Sequence, residues 1–125
     1  MADQDPYVLL TNQVHELMQK VTANLSPDKV QDPEAVRRKM SAFTFGLCDA
    51  LTEGMADANR GELYYQFLLR GGLKPGSAKV IVDRTNNTVI KDKVGSRCFE
   101  TGKKVAANRD NLEAMDFDLS AVLFS

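Results

Sequence analysis

Asp5-Pro6 and Asp32-Pro33-Glu34 each stand directly before a run of apolar residues at helical spacing. An aspartate carboxylate accepts backbone N–H groups that the first turn of a helix leaves without partners, and proline has no N–H there to satisfy. The pair is a helix start, and this chain carries it twice. After the first, Leu10, Val14, Leu17, Met18, Val21 and Leu25 fall at offsets of 4, 7, 8, 11 and 15, one face of a 3.6-residue period, until Ser26-Pro27 ends the run. After the second, Val36, Met40, Phe43, Leu47, Leu51 and Met55 again make one face. Both stripes must be hidden from water, and their short connection suits an antiparallel pair.

The rest of the chain has a different texture. Leu63 to Leu69 is apolar on too many sides to show a period, and Gly71-Gly72 is a common helix stop, so it reads as a short buried third helix, with a strand as the alternative. Leu73 to Ser77 contains Pro75-Gly76 and reads as a loop. Val80, Ile81, Val82 and Val89, Ile90 flank Arg84-Thr85-Asn86-Asn87-Thr88, where asparagine tolerates positive φ, and this predicts a β-hairpin. Ser96 to Asn108 reads as a weak helix broken by Gly102, and Leu119 to Phe124 as a buried strand. The expected fold is α+β. Two long amphipathic helices and a short third pack on a small, mostly antiparallel sheet made from the hairpin and the C-terminal strand.

At 125 residues the chain suits one domain, with a helical part over about 5–72 and a hairpin, helix and strand part over about 78–125. Its 43% hydrophobic and 26% charged residues exclude a disordered protein. The start has no basic region before an apolar run, and nowhere do 18 apolar residues follow one another. The expectation is therefore a protein of the cytoplasm without a membrane partner. The apolar ending Ala121-Val122-Leu123-Phe124-Ser125 fits either a docked last strand or the core of a longer protein.

Catalytic patterns are hard to find. The single histidine, His15, sits at the edge of the first apolar stripe, so a hydrolytic triad has little to build on. Cys48 and Cys98 are too few for a disulfide scaffold or a four-ligand zinc site and read as free thiols. Asp110, Glu113, Asp116 and Asp118 lack the spacing of a calcium loop and read as a solvated acidic turn. Gly71 to Ser77 has glycines but no lysine directly after the last of them, so it reads as a helix end followed by a turn, not a phosphate loop. Neither a cofactor nor a metal is expected.

Charge is more informative in its distribution than in its total. The 16 basic and 17 acidic residues nearly cancel, but residues 73–109 hold nine Lys/Arg against three Asp/Glu, and residues 110–125 hold none against four. Lys79, Arg84, Lys91, Lys93, Arg97, Lys103, Lys104 and Arg109 are therefore candidates for phosphate contacts. Within this segment the hairpin followed by Glu100-Thr101-Gly102-Lys103-Lys104-Val105-Ala106-Ala107 resembles the second half of a double-stranded-RNA-binding domain. The resemblance implies a helix that opens on the paired lysines Lys103 and Lys104 to grip phosphates, with Ala106 and Ala107 packing on the sheet. It covers under a third of the chain, lacks the family's third strand, and is interrupted at Asn108-Arg109-Asp110-Asn111.

Phe45 lies opposite the second apolar stripe, either covered by the later half of the domain or exposed as a homodimer anchor; covering is the preferred expectation. The expected function is a non-enzymatic assembly or scaffold protein acting through protein–protein contacts, as in a virus particle or another multiprotein complex. The alternative is an RNA-binding module using the basic segment. A small enzyme whose site is assembled from scattered residues, with His15 beside Cys48 or Cys98, ranks last.

Overall fold

The computed structural model describes residues 5–22 and 33–114. Every regular element within them is helical: α1 (Pro6–Thr22), α2 (Pro33–Thr52), α3 (Arg60–Arg70), α4 (Pro75–Asn87) and α5 (Lys93–Ala107), with 3-10 turns at Val89–Lys91 and Arg109–Ala114. The expected α+β fold is therefore corrected to an all-α one, with no strand among the described residues. The strand expected at Leu119 to Phe124 lies outside them.

The two proline-led helices form where expected, although Asp32 itself lies outside the described residues. Asp5 accepts a hydrogen bond from the Tyr7 amide at 3.0 Å, and α1 buries Leu10, Thr11, Val14 and Leu17. Leu25 and Ser26-Pro27 fall outside the described residues. α1 packs against α3 as well as α2. The Asn59 amide donates to the Tyr7 hydroxyl at 3.2 Å, and Arg70 donates to the Thr11 hydroxyl at 2.9 Å. α2 ends at Thr52, so Met55 is past the helix and exposed.

α2 is the central element. All seven residues from Ala42 to Cys48 are buried, so this stretch is enclosed on every side. Its largest contact is with α5. There Gly46 lies against the Phe99 carbonyl and Gly102 against the Phe43 carbonyl, so closely that a Cβ on either glycine would collide with backbone. The same Gly102 that weakens the helical signal in sequence is what lets α5 come this near. α5 starts earlier than expected, at Lys93, because Asp92 caps it by accepting from the Val94 and Gly95 amides at 3.2 and 3.4 Å.

The expected hairpin is the clearest correction. Pro75 occupies the first helical turn after Lys74, so the supposed loop is a helix start, and α4 runs through the would-be turn to Asn87. Ala78, Ile81, Val82 and Thr85 form its inward face, at helical offsets of 3, 4 and 7 from Ala78, while Val80 points to solvent. Burial of that face outweighs the β preference of Val80-Ile81-Val82. Asn86-Asn87-Thr88 does mark a chain break, but it ends a helix instead of reversing a strand.

Candidate functional site

A Schellman turn after α3 sets up one concavity. Gly72 adopts φ +100°, and the amides of Gly72 and Leu73 donate back to the Leu69 and Leu68 carbonyls at 3.0 and 3.2 Å. The helix end expected at Gly71-Gly72 is therefore present, but the turn expected to run on to Ser77 stops at Lys74, where α4 begins. The turn folds α4 back beside α3, and the N-terminal half of α2 closes the third side. The result is a groove of about 570 Å³ whose floor includes Met18, Met40, Tyr64, Phe67, Ile81 and Val89. A second hollow of about 420 Å³ lies alongside, reaching Val94 and Gly95 at the start of α5, and shares Arg38, Arg84 and Val89 with the first.

The rim is basic. Arg37 and Arg38 come from α2 and Arg84 from α4, and Lys39 lines the neighbouring hollow; Glu34 and Asp92 are the acids present. Among the described residues no carboxylate is within ion-pair distance of Arg37, Arg38 or Arg84. Two cations outside the groove, Arg60 and Lys103, are paired. Arg60 meets Asp49 at 3.0 Å and donates to Asn86 at 3.2 Å, and Lys103 lies 3.7 Å from Asp49 and 3.8 Å from Glu100. Three exposed arginines around an apolar floor thus hold donors with no carboxylate partner among the described residues, in the planar geometry that matches carboxylates and phosphates. Within the floor, burial pushes the Tyr64 phenol up to about 12, with the Ser41 and Thr85 hydroxyls offsetting part of the rise. It stays neutral at physiological pH.

Of the eight basic candidates, Arg84 alone lines this groove. Lys79, Lys91, Lys93, Arg97 and Lys104 are exposed, with Glu100 on the same side of α5 as Lys93, Arg97 and Lys104. Arg109 donates to the Ala106 carbonyl at 2.8 Å. Lys103 turns towards Asp49 and lies 5.6 Å from the Phe99 ring, while Lys104 faces solvent. The two lysines therefore do not act as a pair at a helix start, and no sheet of the kind implied by the resemblance to a double-stranded-RNA-binding domain forms among the described residues. Sequence reasoning missed Arg37 and Arg38. Their signal was there, since Arg37-Arg38-Lys39 is the chain's one run of three cations, but it sits in a half with an acidic total.

Phe45 is fully buried, with Tyr64 and Phe99 at ring distances of 5.7 and 5.9 Å and the Arg60 guanidinium 5.0 Å from its centroid. Its cover is α3 and α5, not a sheet. His15 is exposed and borders a small hollow with Phe67, Arg70 and Gly71, away from either cysteine. Cys48 and Cys98 are buried free thiols, and burial raises both above the ordinary thiol range, which keeps them protonated and poorly nucleophilic. No group of three or more potential metal ligands forms among the described residues; Asp116 and Asp118 lie outside them. No helix among the described residues is long and apolar enough to cross a membrane.

Comparison of the chain with protein-family models, curated proteins and solved structures returned no match to any of them.

Proposed function

We propose that this chain is a non-enzymatic binding protein that acts in assembly through protein–protein contacts, with the groove between α2, α3 and α4 as its working surface. The observation that carries this reading is the set of three arginines around an apolar floor that have no carboxylate partner among the described residues. The floor takes side chains such as Leu, Met or Phe, each worth about 1.5–3 kcal/mol when fully buried. The rim takes carboxylates through charge-assisted hydrogen bonds, which also fix register. An acidic peptide segment with apolar anchors meets both demands.

An RNA strand meets them less fully. Phosphates would pair with the arginines and Phe67 offers one stacking face, but Tyr64 is buried and Met18, Met40, Ile81 and Val89 offer nothing to the hydrogen-bonding edges of bases. The other seven candidate cations of the basic segment also lie away from the groove.

The test is a two-dimensional NMR titration of the full chain with a short peptide of alternating aspartate and leucine or phenylalanine, run beside single-stranded RNA of equal charge. The peptide should saturably shift the amide signals of Arg38, Ile81 and Arg84, and the R37E/R84E chain should lose that response. A saturable RNA response that fades steeply with salt, with none to the peptide, would replace this function with nucleic-acid binding.

A further inference from the structure

We infer that the partner's segment is an amphipathic helix lying across both the groove and the neighbouring hollow, with an apolar anchor on each side of a carboxylate that meets Arg38 and Arg84. This rests on the reading of the groove as a protein-binding surface and names the form and register of what binds there. Arg38, Arg84 and Val89 line both concavities, so they stand on the divide between them. At about 100° per residue, Met40, Ser41 and Thr44 share the side of α2 that lines the groove, Ala35 and Lys39 share the opposite side that lines the hollow, and Arg38 lies between. Each concavity has an apolar wall of its own: Met40, Phe67 and Ile81 in the groove, Ala35 and the exposed Val94 in the hollow. Arg37, Arg38, Lys39 and Arg84 line the two against Glu34 and Asp92, and Asp92 is already engaged as the cap of α5. The excess of cations calls for an acidic occupant, and the divide is where its carboxylate belongs.

The described residues offer no strand edge, so an extended segment on this surface would leave its amides and carbonyls without partners against an apolar floor. A helix satisfies them internally and presents side chains alone, as helices seated in apolar grooves do. Its period then sets the register. The two concavities flank α2, whose width with side chains is about 10–12 Å, and residues i and i+7 of a helix stand about 10.5 Å apart on nearly the same face. Residues i+3 and i+4 lie between them on that face. The segment this surface selects therefore carries large apolar residues at i and i+7 and an acid at i+3 or i+4. A segment with a single anchor fills the groove and leaves the hollow empty.

The experiment titrates the isotope-labelled full chain with two peptides of equal length and composition. One carries leucines at i and i+7 with glutamates at i+3 and i+4. The other has its leucines and glutamates in strict alternation, an order that never places two leucines seven apart. The first peptide should shift the amide signals of Ile81 and Arg84 in the groove and of Val94 and Gly95 in the hollow along one saturation curve. It should bind about tenfold tighter than the second, the gain expected from burying one more leucine, and be helical when bound. Val94→Glu places a repelling charge in the hollow, in the first turn of α5 where an acidic side chain suits the helix. It should weaken the first peptide about tenfold and leave the second unchanged. Equal affinities for the two peptides, an extended bound peptide, or no effect of Val94→Glu would overturn the inference, while shifts in the groove with either peptide would keep the function proposed above. Failure of both peptides to shift the groove signals would overturn that function as well.

Discussion

Gly46 and Gly102 set how close α2 and α5 come, because each faces a backbone carbonyl of the other helix where a Cβ has no room. Alanine is the better helix former by about 1 kcal/mol, yet a methyl group at this crossing must push two helices apart. Gly102→Ala is expected to lower stability by about 1–3 kcal/mol, the cost typical of overpacking. Gly76, in the first turn of α4, has open space around its Cβ position, so Gly76→Ala should raise stability by about 0.5–1 kcal/mol. Opposite shifts of the urea midpoint check both, and a stabilised Gly102→Ala chain would mean that glycine does not set the spacing. Titration at single residues adds an alkaline limit. Burial lifts the Tyr64 phenol from its ordinary 10 to about 12 and raises the Cys48 thiol above its ordinary 9. A group whose folded pKa is raised stabilises the fold fully below its unfolded value and loses that contribution as pH rises towards the folded value. Stability should therefore hold up to about pH 9, then fall as the unfolded chain first loses the Cys48 proton and, above 10, that of Tyr64. Urea midpoints across this range should show the decline, and Tyr64→Phe should remove the part above pH 10.

At the scale of elements, α4 shows how packing decides between two local preferences. A hairpin would place Val80 and Val82 on one face and Ile81 on the other, whereas the helix puts Ala78, Ile81, Val82 and Thr85 inward and leaves Val80 60% exposed. Val80→Glu is therefore expected to change stability by no more than about 0.5 kcal/mol, as surface substitutions do. Ala78→Asp, which buries a carboxylate at a fully enclosed position, should cost more than about 2 kcal/mol. Comparable losses from both, with a β signature in circular dichroism, would restore the hairpin. The helical period was present in the sequence, but it ran through Ala78 and Thr85, which mark a core weakly, while three adjacent β-branched residues marked a strand strongly. α1 and α2 were legible because bulky residues carry their apolar faces and an aspartate-proline pair marks their starts, whereas α3 was legible only from the Gly71-Gly72 stop that follows it. α5 was half legible, since its inward face is built on Gly95 and Gly102, which register as helix breakers unless the opposing helix is known. The groove was the least legible part. Arg37 and Arg38 stand far from Arg84 along the chain, and only the return of α4 beside α2 brings them to one rim.

Across the whole molecule, the enclosure of α2 determines how a change at its centre is felt. Phe45 touches Tyr64 from α3 and Phe99 from α5, and Arg60 over its ring also reaches Asp49 on α2 and Asn86 on α4. One aromatic side chain thus joins α2, α3 and α5, and through Arg60 lies next to α4. Removing it should weaken folding itself, by the roughly 3–5 kcal/mol typical of a buried phenylalanine reduced to alanine. Had Phe45 been an anchor between two copies, the same substitution would act on association, and the unfolding midpoint would depend on protein concentration in the parent and lose that dependence in the variant. The expected result for Phe45→Ala is a lower urea midpoint with the same displacement from the parent at two protein concentrations about tenfold apart. A displacement that grows with concentration would place Phe45 in an interface and require α3 or α5 to leave it in the assembled state.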